Sequence, residues 1–315
     1  MTSQELIELF KQGTKRYHLI GDIENGIIAG LDLEGRLYTI YNGEVVSKVN
    51  VDAIKKITTR EEYLNPGGDG LWPAPEGTCL GYEYSTGAWR VPPGLTGANF
   101  VLIEESENHA LIEAEIDLIN ASGLGISTIF SRDVSVKTEN DVLTVKTIES
   151  IKYISSHPLS HKECLLAPWT LCQFDCGSGC EVIFPETDSS EIWDMYDPSD
   201  SHRYLKDKLW HVITDGTLRF QIGISENTPW IQLNIPEKNL KIHRTSLPLS
   251  DKQHYIDIVD ADPSEQPTDK GVRYSVYCDT DNFVEIEAAG GCPETLVPGT
   301  TLDVTVVTEY MPLEQ

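Results

Sequence analysis

The sequence predicts an all-β protein, a large antiparallel β-sandwich with a short N-terminal helix. The hydrophobic pattern has a helical period only in the first 13 residues, and after them apolar and polar residues mostly alternate. Alternation is typical of antiparallel strands that bury one face and leave the other in water. Many such strands with hardly a helix between them favour a sandwich or a barrel. No linker rich in Pro, Gly or Ser divides the chain, so we expect a single domain over residues 1–315.

The N-terminal helix is predicted over residues 1–13. Thr2 and Glu5 have the spacing of a capping box, in which each side chain accepts a hydrogen bond from the backbone of the other residue. Residues 6–10 supply an apolar stripe, and Gly13 suits a C-terminal cap.

The strand candidates follow this helix as short runs of alternating or β-branched residues. Alternation is cleanest in Ala110–Leu118, where apolar residues share one face and acidic residues the other. No repeat of roughly 40–50 residues occurs, which argues against a propeller. The candidates are Tyr17–Ile23, Arg36–Tyr41, Asn99–Glu104, Ala110–Leu118, Ile126–Lys137, Asp141–Ile148, Ser150–Ser155, Leu165–Phe174, Thr217–Ile224, Trp230–Asn234, Tyr255–Val259, Tyr274–Cys278, Phe283–Ala288 and Leu302–Met311.

Two irregular stretches, residues 65–97 and 185–201, are predicted as long loops, and loops of this length in a compact domain are usually functional. The first contains glycines and prolines that turn and stiffen the chain. Aromatic rings cover the C–H faces of sugars while polar groups bind hydroxyls, so this loop suits a polyol. The alternative is that its tryptophans fill the end of the sandwich. The candidates in this loop are Asp69, Trp72, Glu76, Tyr82, Tyr84, Trp89 and Arg90.

Three charged residues on strands attract attention because of the face they occupy. Arg132 lies on the apolar face of its strand, so it must meet a carboxylate, a ligand or solvent at a cleft. A buried ion pair and a ligand clamp both explain it. Glu285 and Glu287 share a face of one strand, and like charges so close can raise a carboxyl pKa toward the range of a general base. The alternative is two exposed strand glutamates.

A cluster of thiols and imidazoles occupies residues 157–180. Structural zinc sites prefer two cysteines separated by two residues, and this spacing does not occur here. Buried strand cysteines explain the cluster better, so we expect no metal. A Cys176–Cys180 bridge is geometrically feasible but disfavoured in a reducing compartment. The cluster consists of His157, His161, Cys164, Cys172, Cys176 and Cys180.

The net charge is −26, from 50 acidic and 24 basic residues. Such a charge repels phosphate backbones and anionic lipids, so we expect neither nucleic acid nor a membrane as partner. The acidity is regional, because residues 91–131, 163–202 and 274–315 contain no Lys or Arg. The N-terminus lacks a signal-peptide pattern and the seven cysteines lack a disulfide spacing, which favours a cytoplasmic protein. No nucleotide-binding or zinc-hydrolase motif occurs, and we expect no cofactor.

Several short motifs nevertheless follow one another in a fixed order. Through these ordered motifs the chain resembles the galactose mutarotase-like superfamily of large β-sandwiches. Within that superfamily it is similar to an uncharacterised bacterial branch with a Gly-Gly-Asp…Trp-Pro-Ala-Pro loop. The matching segments are GGDGLWPAPEG at 67–77, WRVPPG at 89–94, STIFSRDVSV at 127–136, APWTLCQ at 167–173, LRFQIGI at 218–224, EIEAAGG at 285–291 and LVPGTTLDVTV at 296–306.

The resemblance implies a sugar-sized cleft on the concave face of one sheet. In aldose epimerases of this superfamily, a late glutamate takes the proton of the anomeric hydroxyl and a histidine donates to the ring oxygen. Glu287 matches the glutamate, with Glu285 as its neighbour. Trp169 stands where the histidine would be, so the acid of ordinary mutarotation is missing at its matching position. Gln173, in the same motif as Trp169, is a further candidate for sugar binding.

Three classes of function are consistent with these features. The protein is an enzyme of the aldose 1-epimerase type with Glu287 as base and another group as acid, a non-catalytic sugar-binding or accessory protein, or a structural β-sandwich without a cavity. The first two share a small carbohydrate as ligand, and the acidity around APWTLCQ and EIEAAGG favours a neutral sugar. The residues expected to bind it are Asp69, Trp72, Glu76, Trp89, Arg90, Arg132, Trp169 and Gln173.

Overall fold

The computed structural model describes residues 1–59, 63–82 and 91–313 of the chain. No helix in these ranges is both long and apolar enough to cross a membrane. The helices are α1 (Ser3–Gln12), α2 (Val51–Lys55) and α3 (Pro93–Thr96), with 3-10 turns at Ser189–Glu191, Asp200–His202 and Pro236–Lys238. The strands are β1 (Tyr17–Gly21), β2 (Asn25–Gly30), β3 (Arg36–Tyr41), β4 (Glu44–Val45), β5 (Asp69–Ala74), β6 (Val101–Ser106), β7 (His109–Ile119), β8 (Gly125–Glu139), β9 (Val142–Tyr153), β10 (Leu159–Ser160), β11 (Ala167–Asp175), β12 (Glu181–Pro185), β13 (Ile192–Asp194), β14 (Arg203–Lys206), β15 (Leu209–Ile213), β16 (Phe220–Ile224), β17 (Ile231–Ile235), β18 (Leu240–Ser246), β19 (Gln253–His254), β20 (Tyr274–Asp279), β21 (Phe283–Ala289), β22 (Cys292–Pro293), β23 (Thr295–Leu296) and β24 (Thr301–Pro312).

Two ten-stranded antiparallel sheets pack face to face, which confirms the predicted all-β sandwich. Sheet I has the order β1-β2-β3-β5-β11-β21-β20-β16-β13, with β4 beside β3. Sheet II has the order β14-β15-β12-β17-β18-β24-β9-β8-β7-β6. The central strand β11 of sheet I packs on β9 and β24 in the middle of sheet II. Two small ladders, β10 with β23 and β19 with β22, lie outside these sheets.

The centre of sheet I is buried on both of its faces. Every residue of β20 and β21 is buried, as are all residues of β11 except the last. On β11, Phe174 faces sheet II, since its ring centroid lies 6.4 Å from that of Tyr310 on β24. Trp169, an odd number of positions away, therefore points to the opposite face, which loops cover. That covered outer face carries the candidate site.

The N-terminal helix forms as predicted. The Thr2 backbone N–H donates to Glu5 Oε2 at 2.8 Å, and the Glu5 N–H donates to Thr2 Oγ1 at 3.2 Å, which completes the capping box. Its apolar stripe buries Leu6 and Phe10 in a small satellite core with Tyr38 of β3.

The prediction of a continuous loop over residues 65–97 is wrong for Asp69–Ala74. This segment is β5, a central strand of sheet I between β3 and β11. Glycines and prolines conceal it, because proline has no N–H to give to a ladder and is rare in central strands. Here Pro73 lies opposite Pro168 of β11, so the two missing donors coincide at one position of the ladder.

Other boundaries also differ from the predicted ones. The candidates Asp141–Ile148 and Ser150–Ser155 belong to one long strand, β9, while Tyr255–Val259 is not a strand. The predicted loop 185–201 contains β13 and a 3-10 turn.

Candidate functional site

A cavity of about 290 Å³ lies on the outer face of sheet I. Strands β5, β11, β21, β20 and β16 form its floor, and loops form its walls. Two of these loops are joined, because Gly77 N–H donates to Val259 O and Thr78 N–H to Ala261 O, each at 3.0 Å. The lining residues are Trp72, Glu76, Trp169, Leu171, Tyr196, Arg219, Gln221, Asp260, Tyr277, Asp279, Asp281, Glu285 and Glu287.

The register of sheet I brings the polar floor residues together. Leu171 pairs with Glu287, which pairs in turn with Ser275 of β20. Two positions along, Gln173 pairs with Glu285. Residues paired across antiparallel strands share a face, so side chains distant in the sequence meet on one floor.

Two carboxyl groups, Glu285 and Glu287, are the chemical centre of this floor. Glu287 is completely buried and its Oε2 accepts hydrogen bonds from Trp169 Nε1 at 3.0 Å and Gln221 Nε2 at 3.2 Å. Glu285 is 4% exposed and accepts from Gln173 Nε2. No lysine or arginine of the described ranges forms a salt bridge with either carboxyl.

Burial raises the pKa of both carboxyls. The pKa of Glu285 rises to about 7, and that of Glu287 lies well above its ordinary range, because burial and the neighbouring Glu285 both disfavour a second negative charge. Both shifts favour a retained proton on the pair, and two carboxyls this close titrate as a unit. Such a pair can both donate and accept a proton.

Two tryptophans lie beside the carboxyl pair. The rings of Trp72 and Trp169 are nearly perpendicular, at 88°, with centroids 6.1 Å apart. Trp72 is 5% exposed, and its buried Nε1 has no hydrogen-bond partner among the residues that the structure describes. A buried donor normally has a partner, so an acceptor on a bound ligand would satisfy it.

Arg219 supplies a positive charge to the cavity wall, and neighbouring groups already hold it. Its Nε donates to the Tyr277 hydroxyl at 3.0 Å and lies 3.7 Å from Asp279 Oδ2. Its guanidinium also lies 4.7 Å from the ring centroid of Tyr196. The Tyr277 hydroxyl in turn donates to Asp279. Arg219 thus fixes this wall, with its charge matched by Asp279.

The structure brings together five of the residues that the sequence singled out. Trp72, Glu76, Trp169, Glu285 and Glu287 all line the cavity. A sixth candidate, Gln173, lies on the same face and acts through its hydrogen bond to Glu285.

Asp69 and Arg132 do not line the cavity, which corrects the expectation that they bind the sugar. Arg132 Nη2 lies 2.9 Å from Asp69 Oδ1 and 2.7 Å from Glu149 Oε1, in a buried ionic network between the sheets. Arg244 Nη1 joins it at 3.1 Å from Asp69 Oδ2. Asp69 is three residues from Trp72 on one strand, so the two side chains point to opposite faces. Of the two explanations for Arg132, the structure has the buried ion pair.

Other sequence candidates lie elsewhere. Trp89, Arg90 and Tyr84 fall outside the described residues. The Tyr82 hydroxyl donates to Leu165 O at 2.6 Å and holds a loop in the core.

The thiol and imidazole cluster does not contribute to the cavity lining. His161 Nε2 lies 2.9 Å from His254 Nε2, and all seven cysteines are free. Within the described ranges, no group of three or more His, Cys, Asp or Glu side chains is arranged to hold a metal ion.

Sequence reasoning missed most of the polar residues on β16 and β20. Arg219 directly before β16 and Gln221 on it alternate with apolar residues, and Ser275, Tyr277 and Asp279 do so on β20. The signal was present: polar side chains at every second position of an otherwise apolar strand indicate a second buried face with its own polar function. The segment LRFQIGI was used as a motif of the resemblance, and none of its residues was predicted to belong to the site.

Comparison with known proteins identifies the fold. No protein-family model and no curated protein matches the chain. Among solved structures, a galactose mutarotase-like protein from Lactobacillus casei matches with a TM-score of 0.58 at 10% sequence identity, over 94% of this chain and 100% of that one. A galactose mutarotase-like protein from Clostridium acetobutylicum matches at 0.53 and 10%, over 92% and 93% of the two chains. A galactose mutarotase related enzyme from Lactobacillus acidophilus matches at 0.52 and 10%, over 95% and 99%. The chain therefore has the fold of the galactose mutarotase-like proteins, as its ordered motifs predict.

Proposed function

We propose that the protein binds one sugar ring in the cavity of sheet I. The observation that carries this proposal is the pair of tryptophans, Trp72 and Trp169, set beside the buried carboxyls of Glu285 and Glu287. The indole rings supply apolar surface to the cavity for sugar C–H groups, while carboxyls and amides bind hydroxyls. The presence of a cavity speaks against a purely structural role.

The size and charge of the cavity narrow the ligand. Small-molecule sites usually enclose roughly 300–1,000 Å³, and this cavity of about 290 Å³ suits a single ring. Six carboxyl side chains and one arginine line it among the described residues, so phosphorylated and carboxylate sugars are disfavoured. The names of the fold relatives, galactose mutarotase-like proteins, also support a sugar.

The first test is binding of a panel of aldoses, measured by thermal shift and by tryptophan fluorescence. Any ligand of the native state raises the melting temperature. Trp72→Phe keeps an aromatic ring but removes the unpartnered donor, so we expect affinity to fall about fivefold. Trp210→Phe, on β15 of sheet II, is the matched control and should bind like the wild type. If no aldose at millimolar concentration changes either signal, sugar binding is refuted.

A second candidate function is anomeric interconversion of the bound sugar. The specific observation in favour is that the pKa of Glu285 is raised to about 7, which suits acid–base work at neutral pH. Ring opening removes the proton of the anomeric hydroxyl, breaks the bond between the anomeric carbon and the ring oxygen, and protonates that oxygen. A carboxyl pair that shares one proton can perform both transfers and still hold one proton afterwards. Reversal of these steps on the other face of the carbonyl gives the opposite anomer.

This mechanism replaces the missing histidine by the second glutamate, and it can be tested by NMR of anomeric exchange. We expect Glu285→Gln and Glu287→Gln each to lower the exchange rate by roughly 10²–10⁴-fold while the sugar still binds. Binding by the wild type without accelerated exchange would assign the protein to the non-catalytic class.

A further inference from the structure

We propose that the sugar bound in this cavity carries a protonated amine, so that amino sugars bind in preference to their neutral parents. The inference rests on the proposed function, because it names the class of sugar for the same site. It differs from the expectation of a neutral sugar that the sequence alone gave. Three features of the cavity support it: its charge, the state of its arginine and its unpartnered donor.

The charge of the lining is strongly one-sided. Carboxyl groups come from the floor strand β21, from the end of β20 with its turn, and from both wall loops, and no lysine or histidine lines the described part of the cavity. A cavity with low-dielectric walls concentrates such a potential and attracts a cation. The carboxyl residues are Glu76, Asp260, Asp279, Asp281, Glu285 and Glu287.

The remaining charges do not reverse this balance. Arg219 is already matched by Asp279, 3.7 Å away, and held by Tyr277. Residues 83–90, which lie outside the described ranges, contain one glutamate and one arginine, so their formal charges cancel. Asp281, Glu285 and Glu287 form no salt bridge within the described ranges, so these three carboxyls supply the negative charge that a ligand ammonium would offset.

A second, independent observation points to a ligand that carries a hydrogen-bond acceptor in addition to a positive charge. Trp72 is 95% buried at the cavity floor, and its Nε1 has no acceptor within the described ranges. A sugar hydroxyl or ring oxygen accepts that hydrogen bond, while an ammonium on the same ring meets the carboxylates. The acidic lining alone would suit any cation, and the tryptophan donor adds the need for an acceptor.

The carboxyl pair should release a proton when an amino sugar binds, and this release distinguishes an amino sugar from a neutral one. Burial raises the pKa of both Glu285 and Glu287, whereas an ammonium placed nearby favours their ionised form. In addition to the carboxyl residues of the lining, the charged or titratable groups around the pair are Arg36 from β3, Arg219 directly before β16, Tyr277 from β20 and Tyr196 from a wall loop. Binding of an amino sugar should therefore release a proton, whereas binding of its neutral parent should not.

The experiment compares probes that differ only in the amine. Glucose, 2-amino-2-deoxyglucose, 6-amino-6-deoxyglucose and N-acetylglucosamine are titrated calorimetrically at pH 7 in two buffers of different ionisation enthalpy, which reports proton release. We expect at least one amine to bind roughly tenfold more tightly than glucose at low salt, with proton release, and the preference to shrink as salt rises. The N-acetyl probe, which has no charge, should lose the advantage.

A charge variant tests the cause of the preference. Asp281 is exposed at the edge of the cavity, so Asp281→Asn should fold normally and reduce the amine preference roughly threefold. Asp303→Asn removes an exposed carboxyl of β24 on sheet II and should leave the preference unchanged. Equal affinities for glucose and both amines would overturn this inference and leave the proposed function standing. Absence of binding by every probe would overturn both.

Discussion

At the scale of single residues, two groups of buried charged side chains in the described structure differ in how their charges are compensated. Between the sheets, Arg132 and Arg244 face Asp69 and Glu149, so two positive and two negative groups balance at hydrogen-bond distance. On the outer face, Glu285 and Glu287 have no such partner, and burial raises the pKa of both carboxyls. The first arrangement stabilises charges inside the core, and the second leaves a carboxyl pair poised for a ligand.

The carboxyl pair should make the protein less stable as pH rises. A carboxyl whose pKa is raised on folding binds more protons in the folded than in the unfolded state, so the free energy of unfolding falls above its ordinary pKa. Glu287→Gln copies the protonated form and keeps the hydrogen bonds to Trp169 and Gln221. We expect the free energy of unfolding of this variant to rise, relative to that of the wild type, by about 1 kcal/mol for each pH unit between pH 5 and pH 7.

Urea unfolding at several pH values measures this difference. Glu115→Gln removes an exposed glutamate of β7 and is the matched control, with a difference from wild type that should not change with pH. A pH-independent difference for Glu287→Gln as well would mean that Glu287 is ionised in the folded protein, against the proton-sharing pair.

At the scale of elements, what the sequence could predict depended on how regular each strand is. Long strands such as β7 and β24 show clean alternation, and their positions were predicted to within a few residues. β18 was missed because Arg244 takes an inward position where an apolar residue would complete the pattern. β5 was hidden by Pro73 within it and by Pro75 directly after it.

The site was predictable to the same extent as the elements that carry it. Trp169, Glu285 and Glu287 lie in recognisable motifs on regular strands, and they do line the cavity. Asp69 and Arg132 were placed there in error, because a charge on an inward position indicates a buried partner but not which partner. The contribution of β16 and β20 depends on strand order, which pairs Gln221 with Tyr277 and cannot be read from either strand alone.

One glycine shows how tightly β5 must approach β3. Gly70 has an ordinary backbone φ, but a β-carbon there would lie 2.6 Å from Arg36 Nη1 and 2.7 Å from its Cζ. The guanidinium cannot move freely, since its Nη2 donates to Glu34 Oε2 at 2.9 Å and to the Tyr63 hydroxyl at 3.0 Å. Arg36 also lies 5.7 Å from the ring centroid of Trp72, so its displacement reaches the cavity.

We therefore expect Gly70→Ala to lower the free energy of unfolding by about 1–3 kcal/mol, the usual range for overpacking, and to weaken sugar binding through Trp72. Gly125→Ala, where nothing lies within 4 Å of the added carbon, is the control and should change neither property. Urea unfolding and ligand titration measure the two effects. If Gly70→Ala were as stable as the wild type, Arg36 would have room to move aside.

At the scale of the whole molecule, the regional acidity of the sequence acquires a location. Two of the stretches without Lys or Arg, residues 163–202 and 274–315, supply β11, β20 and β21, which adjoin in sheet I. The third, residues 91–131, supplies β6 and β7 at the edge of sheet II. Of the three stretches, only residues 274–315 supply acidic side chains to the cavity lining, namely Asp279, Asp281, Glu285 and Glu287, whereas no acidic residue of 91–131 or 163–202 lines its described part.

The topology also leads us to predict that residues 1–315 unfold as one domain, although their number alone suggests about two. Sheet I combines β1–β5 from the start of the chain with β20 and β21 from near its end, and β24 lies in the middle of sheet II. Neither half of the chain can bury the inner face of either sheet without the other. We expect one cooperative transition, with circular dichroism and tryptophan fluorescence giving the same midpoint and the calorimetric enthalpy equal to the van't Hoff enthalpy. Two separated transitions would instead show that the two sheets, or the two ends of the chain, fold independently. In that case sheet I and its cavity would have to be stable without sheet II packed against them.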